Sequence, residues 1–582
     1  MIYCRTTKRI RRKSVALVGV ALAERFYLQQ AYPYTKEHRR GSLFSGDLPA
    51  LVFAHERERR EGTYTMSSVT QNTTATPDFT RTDARISELL DHMRDICALN
   101  DLGSLAGWDQ NTQMPDGAGE VRGIQMAVLQ GVLHDRWSSD KLGKLLAMLE
   151  GPVQSTPFTD ADRGLVRQAL RGYTRSTKLP RTLVEEIARH EAASFESWRR
   201  ARANNDFASF APFLGHTIEL QRETADRMGH IESRYDALLD DYEPGLTASR
   251  VNTLFAPVRA MSTALLQRIV KSGIRVDTTS LQGHFPSDKQ VELSVALLKG
   301  MGYNFTYGAI AQSPHPFTTN LGTPFDVRVT VRTNEQLLQQ SVMAAIHEGG
   351  HALYEQGGAH TLVNTPVAGG ASLGMHESQS RLWENAIGRS LPYWQGQFAL
   401  IQKIFPEQFA HVDAATFARA LNHVEPSLIR VEADEVTYNL HIIIRFELEK
   451  AMINGDVAVE SLPRLWNEKY QEYLGVTPPN DTNGILQDVH WTSGFGYFPT
   501  YTLGNLNSAQ ILNTLHKALP NFDELLVKGD TTTILGWLQD HMYNVGAVYL
   551  PDELMRRVTG EPLNPDYFTH YLTNKFEQVY GL

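Results

Sequence analysis

Apolar positions recur at helical spacing along most of this chain beyond about residue 80. The clearest case is Leu337, Leu338, Val342, Ala345 and Ile346, where they return every three or four residues. Thr333 precedes this run with Gln336 three positions on, the pattern of a capping box. Gln356-Gly357-Gly358 supplies the stop, since glycine accepts the left-handed conformation that ends many helices. A second helix is expected through Leu373, Leu382, Trp383 and Ile387, folded back on the first by a glycine-rich loop at 357–370. A third runs over 428–454, rich in isoleucine, leucine and valine. Alternation takes over only at His315-Pro316-Phe317 and at 325–331. These read as two short strands joined by 320–324, with Phe325, Val327, Val329 and Val331 on one face. The pattern predicts a mainly α fold with one small hairpin or sheet, in a single large domain over 81–582.

Inside the first helix lies His347-Glu348-Gly349-Gly350-His351. Four residues make about one helical turn, so His347 and His351 share a face and can hold one metal ion. Glu348 stands beside them, where a carboxylate can take a proton from an activated water. Tandem glycines should cost about 1 kcal/mol each in a helix interior, so Gly349 and Gly350 imply a close approach to the backbone there. A catalytic zinc commonly takes a third protein ligand. Glu377 and Glu384 lie two turns apart on the second helix, and spacing alone leaves both open. Glu384 has a competing reading, as an ion-pair partner of Arg381 or a support for a ligand histidine.

The third helix carries a polar stripe, Arg430, Asp434, Tyr438, His441 and Arg445, through an apolar body. Such a stripe lines a cleft or satisfies itself, the simplest internal solution being an Arg430–Asp434 pair. Further on, His490 is followed by Tyr497 and Tyr501. Each can donate to a developing oxyanion, while structural tyrosines are an equally ordinary outcome. His315 is read either as a substrate contact or as a loop histidine. Residues 325–331 offer a sheet edge that could hold an extended peptide, or a plain hairpin with an Asp326–Arg328 contact.

Six segments in order carry a specific resemblance. They are His315-Pro316-Phe317, Asp326 to Thr330, His347 to His351, His376-Glu377-Ser378-Gln379, Ile429 to Asp434, and Gly484 to Trp491. From about Asp83 onward, including Trp108-Asp109-Gln110 and Met114-Pro115, the chain resembles the thermostable carboxypeptidase Taq family of metallocarboxypeptidases. The resemblance implies Glu377 as third metal ligand, Arg430 as the cation for the substrate's terminal carboxylate, and Tyr438 beside it. It also implies a deep central groove, one divalent ion per subunit (zinc, with cobalt as the alternative), and a homodimer. A more remote likeness to the His…Tyr…Tyr arrangement of angiotensin-converting enzyme makes His490 with Tyr501 or Tyr497 the oxyanion donors. The expected function is stepwise removal of C-terminal residues from oligopeptides with broad specificity. An oligopeptide endopeptidase and a non-catalytic peptide-binding protein are the competing readings.

Composition narrows this further. A net charge of −9 disfavours general nucleic-acid binding. The two cysteines, Cys4 and Cys97, form neither a disulfide framework nor a zinc cluster. Residues 1–80 differ in character: Arg5, Lys8, Arg9, Arg11, Arg12 and Lys13 precede an apolar stretch at 15–23, too short to span a membrane. That extension reads as a signal-peptide core, a basic organellar presequence, or an over-long start with Met66 as the true one. Residues 67–82 read as a disordered linker. The expected location is cytoplasmic, with organellar import if the extension is real.

Overall fold

The computed structural model describes residues 76–582. Cys4, Met66 and the basic and apolar segments at the start of the chain lie outside the described residues. The described end of the expected linker is pinned. Phe79 packs into a core, and Asp162 accepts from the Thr80 amide at 3.0 Å and its hydroxyl at 2.5 Å. Residues 76–82 therefore belong to the folded domain.

The expected mainly α architecture holds. The first helix, α1 (Ala84–Thr112), begins on the Asp83 side chain, which accepts from the Arg85 amide. A helix α2 (Ser287–Met301) leads into the only sheet among the described residues. That sheet has three strands, β1 (Ile310–Gln312), β2 (Thr318–Asn320) and β3 (Val327–Val331), in the order β1-β3-β2. β3 pairs parallel to β1 and antiparallel to β2, with Val329 opposite both Ile310 and Thr318. Two expectations are corrected here. The first strand starts at Thr318, because Pro316 has no amide to donate, and β1 was not foreseen. Val327, Val329 and Val331 are fully buried as expected, whereas Phe325 lies outside the strand, 42% exposed.

Helix α3 (Leu338–Gln356) carries the His347–His351 segment. The anticipated capping box does not form. Thr333 bonds Ser287, Asn334 bonds Gln290, and the helix starts at Leu338 without a side-chain cap. It stops where expected, but Gly357 has φ −83°, so left-handed geometry is not the reason. A Cβ on Gly357 would sit 2.6 Å from the Tyr543 ring, and that packing excludes a side chain. The tandem glycines answer to packing as well. A Cβ on Gly349 would meet Leu298 and Met301 of α2 at 2.8 Å. One on Gly350 would meet the Gln379 carbonyl at 2.5 Å and Ser380 Cα at 2.7 Å, on helix α4 (Leu373–Arg381). Because that neighbour is backbone, Gly350→Ala should overpack the joint by about 1–3 kcal/mol. A lower urea midpoint with an unchanged slope would show it.

α4 runs on through a π-helical turn, Leu382–Ile387. The helix expected over 428–454 is shorter, α5 (Tyr438–Asn454), preceded by a 3₁₀ turn at Arg430–Glu432. The break falls at Asp434, whose carboxylate takes the Val436 and Thr437 amides and the Thr437 hydroxyl and so holds the turn that precedes the helix. Helix α6 (Pro499–Ala518) is buried along most of its length and joins two large cores. Leu503, Leu506 and Ala509 belong to the core that includes α5, and Ile511, Leu512 and Leu515 to the core that includes α3 and α4. No helix of the described residues is long and apolar enough to cross a membrane.

Candidate metal centre and active site

α3 and α4 bring His347, His351 and Glu377 together, with one donor atom from each within 4.8 Å of the others. Glu377 Oε2 lies 3.7 Å from His347 Nε2 and 3.4 Å from His351 Nε2. Ligands bound tetrahedrally at ~2.0 Å stand roughly 3.3 Å apart, so the three fit a small divalent ion. Burial works against the Glu377 charge, but Arg381, with its Nε 2.7 Å from Oε1, and the two histidines hold the carboxyl well below its usual range. A Cβ on Gly504 of α6 would come within 2.5 Å of Glu377 Cγ, so the missing side chain there makes room for Glu377.

Around this set lies a ring of supports. His347 Nδ1 meets Glu384 at 2.8 Å, and Glu384 also accepts from Arg381 at 3.2 Å. Glu384 thus stands where both of its competing readings put it, on the Nδ1 side of His347 and beside Arg381. Thr318 of β2 donates to the Glu348 side chain at 2.7 Å and to its main-chain carbonyl at 3.0 Å. Burial pushes the Glu348 carboxyl up from its ordinary value, against the opposing charge of His347 and the Thr318 bond. β2 is an edge strand, since β3 covers only one side of it. Asp326 and Arg328 form a 2.7 Å ion pair, the surface contact foreseen for the hairpin.

Arg430 is buried, 6% exposed, and does not pair with Asp434. Its partner is Asp488, whose Oδ1 accepts from Nε at 3.1 Å and from Nη2 at 3.0 Å. Oδ2 of the same aspartate takes Arg445 Nε at 2.6 Å. Asp488 occupies the side edge of the Arg430 guanidinium. At the end edge, Nη1 meets the Tyr438 hydroxyl at 3.5 Å. Tyr438 in turn lies under Arg381, whose guanidinium carbon is 4.5 Å from the ring centroid. Arg381 and Tyr438 therefore link the ligand set to Arg430 by direct contact.

The remaining candidates gather around Arg430. Tyr501 lies beneath it at 5.2 Å, and Tyr497 packs against Tyr501 at 5.2 Å and His490 at 5.7 Å. Burial drives the Tyr501 hydroxyl well above its ordinary pKa, with the Glu377 carboxylate contributing, so Tyr501 is within electrostatic reach of the ligand set. Burial and Arg430 lower His490 to about 3, and neither of its ring nitrogens has a hydrogen-bond partner among the described residues. His315 is lowered to about 4 by burial and by Arg430, Arg332 and His347. Both imidazoles are therefore neutral at ordinary pH. His441 of the stripe faces Tyr470 inside the core, not the site. Sequence reasoning gave no role to Thr318, Tyr354, Glu355 or Asp488, and gave Arg381 only a pairing with Glu384. Asp488 sits in a motif already singled out, so only its pairing was hidden.

Residues 88–576 match the family model described as Carboxypeptidase Taq (M32) metallopeptidase. Thermostable carboxypeptidase 1 of Thermus thermophilus is 40% identical over 510 residues, covering 86% of this chain and 99% of that protein. Carboxypeptidase 1 of Bacillus subtilis is 38% identical over 496 residues, covering 85% and 98%. The crystal structure of M32 carboxypeptidase from Deinococcus radiodurans R1 superimposes with a TM-score of 0.83 at 36% identity, covering 86% of this chain and all of that one.

Proposed function

Given that this chain belongs to the carboxypeptidase Taq (M32) family and is a metallocarboxypeptidase, we propose that His347, His351 and Glu377 hold its divalent ion and that Glu348 is the general base. Two imidazoles and one carboxylate suit zinc, with cobalt a competent substitute. Such an ion, when bound, supplies the Lewis acidity that makes water a nucleophile near neutral pH and polarises the scissile carbonyl. Glu348 takes the proton from the attacking water and returns it to the leaving amine. The Thr318 hydroxyl fixes one carboxylate oxygen and so orients the other.

The observation that carries the exopeptidase reading is the Arg430 fork. Asp488 holds its side edge, and Arg381 and Tyr438 connect it to the ligand set. The end edge of a guanidinium so held matches a carboxylate. Arg430 therefore binds the terminal carboxylate, with Tyr438 beside it. His490 and Tyr501 supply hydrogen bonds to the carbonyl oxygen as charge develops there. Leaving a buried imidazole unpaired costs about 1–3 kcal/mol, and a substrate oxygen would satisfy one nitrogen of His490. His315 and Tyr497 line the peptide's path, and the free edge of β2 offers main-chain pairing to an extended oligopeptide. Selection by main chain and terminal carboxylate accounts for broad side-chain specificity.

The test is one unstructured peptide as free acid and as C-terminal amide, followed by mass spectrometry with and without chelator. Stepwise shortening of the free acid alone, stopped by chelation, is expected. Internal cuts in both forms would overturn the reading. Membership in the family also carries the homodimer as an expectation, and the cytoplasmic location remains the expectation drawn from the sequence. Light scattering on the purified protein at twice the chain mass would bear out the first, and fractionation of the source cells the second.

A further inference from the structure

The polar stripe of α5 runs one turn beyond Arg445, to Glu449, which is fully buried. A carboxylate in an apolar core is tolerated only where donors surround it. Here the donors are three neutral groups from two other segments. Oε1 accepts from the Trp491 indole at 2.9 Å, and Oε2 accepts from the Gly496 amide at 3.0 Å and the Tyr235 hydroxyl at 2.8 Å. Tyr235 stands on a short helix, Arg234–Leu239. Trp491 and Gly496 are the two ends of one loop, and His490 and Tyr497 lie immediately outside them. Gly496 has φ +94°, and a Cβ there would come 2.7 Å from the Leu238 carbonyl carbon, so the loop turns close against the helix that carries Tyr235. Beyond that turn Phe498 and Tyr497 reach back to His490, with ring centroids 4.4 and 5.7 Å from its own.

Resting on the reading of His490 as a donor to the substrate carbonyl oxygen, we propose that Glu449 is a positioning residue: it staples both ends of the 491–496 loop and so sets where the His490 ring stands. Trp491 fixes the residue next to His490 in the chain, and Gly496 places the two rings that pack on it. No hydrogen bond to the ring itself orients His490 among the described residues. Indole and main-chain nitrogens can only donate, so each oxygen of residue 449 must accept one of them. Protonation does not alter this, because a proton on Oε2 can be donated to the Tyr235 oxygen while both nitrogens keep their acceptors. A carboxyl group meets the demand. An amide has one oxygen and turns its NH2 against the remaining donor.

Glu449→Gln therefore releases one end of the loop at nearly constant size. On a saturating free-acid peptide kcat should fall about 10- to 100-fold, since a misplacement of ~1 Å can cost about 100-fold. KM and bound ion should stay near the parent's, and melting of the same samples reports folding. Because Glu449 acts through His490, Glu449→Gln should cost little further kcat in a His490→Ala background. Two single-bond deletions give a second contrast. Trp491→Phe and Tyr235→Phe each remove one donor from Glu449, but only Trp491 lies on the loop. Trp491→Phe should lower kcat, and Tyr235→Phe should leave it unchanged.

Parent-like kcat in Glu449→Gln would overturn the proposal, as would full additivity with His490→Ala or equal kcat in the two donor deletions. Should Glu449→Gln fail to fold, Trp491→Phe against Tyr235→Phe still decides. If His490→Ala itself keeps the parent's kcat, His490 is no donor to the carbonyl, and the staple's role falls with that reading. A crippled His490→Ala beside an unaffected Glu449→Gln would leave the reading of His490 standing and remove Glu449 alone.

Discussion

Glu348→Gln should retain its ion and its fold while turnover falls about 10²- to 10⁴-fold, the usual worth of a positioned proton acceptor. The substitution is nearly isosteric, and the amide oxygen can still accept from Thr318, which donates at 2.7 Å. It changes little except the ability to take a proton. The comparison that matters is kcat on a saturating free-acid peptide, with ion content measured on the same sample. Loss of the ion together with activity would make Glu348 part of the ion's hold, and parent-like turnover would remove it from the chemistry. The acid side of the kcat/KM profile carries a second signature. His315 and His490 are held at about 4 and about 3, so neither loses a charge as pH rises through 5 to 8.

The second large effect is expected from Arg430→Ala. Removing one partner of a buried charge contact costs about 2–5 kcal/mol, which for kcat/KM on a free-acid peptide is roughly 30-fold to several thousand-fold. The C-terminally amidated peptide, already a poor substrate, should lose far less, so the free-acid preference should collapse. That ratio guards against a trivial explanation. Arg430 also stacks on Phe498 at 5.5 Å and Tyr501 at 5.2 Å, and a general loosening would depress both substrates alike. Asp488 keeps Arg445 as a partner in the variant, so the aspartate is not stranded. Equal loss on both peptides would sink the assignment.

What could be read from the chain was whatever local spacing encodes. The face shared by His347 and His351 follows from helical periodicity, and so does the cost of Gly349 and Gly350, which foretold the approach of α2 and α4. Long-range pairing was out of reach. Spacing offered Arg430 a partner at Asp434, yet its partner is Asp488, 58 residues away, while Asp434 holds the turn before the helix that follows. Thr333 looked like a helix cap because nothing local shows that Ser287 would claim its hydroxyl. β1 escaped notice because a three-residue strand carries too little alternation to register. Spacing left Glu377 and Glu384 open and only the resemblance favoured Glu377; in three dimensions both reach His347, but only Glu377 also faces His351.

Helix α6 belongs to both cores, and on the proposed roles of Arg430 and the ligand set this would give the enzyme a ruler. The ligand set stands on helices of one core, and the Arg430 clamp on segments of the other. If Arg430 anchors the terminus as proposed, the span between them would set how many residues fit between it and the bond that breaks. An extended chain advances about 3.3–3.6 Å per residue, so sliding one core by that amount along α6 would change the unit of counting from one residue to two. The length of the released fragment is then a property of how a buried helix is wedged between two halves of the molecule. Substitutions along α6 that touch no substrate, such as Leu506 or Leu512 to smaller residues, are where that count should first become imprecise.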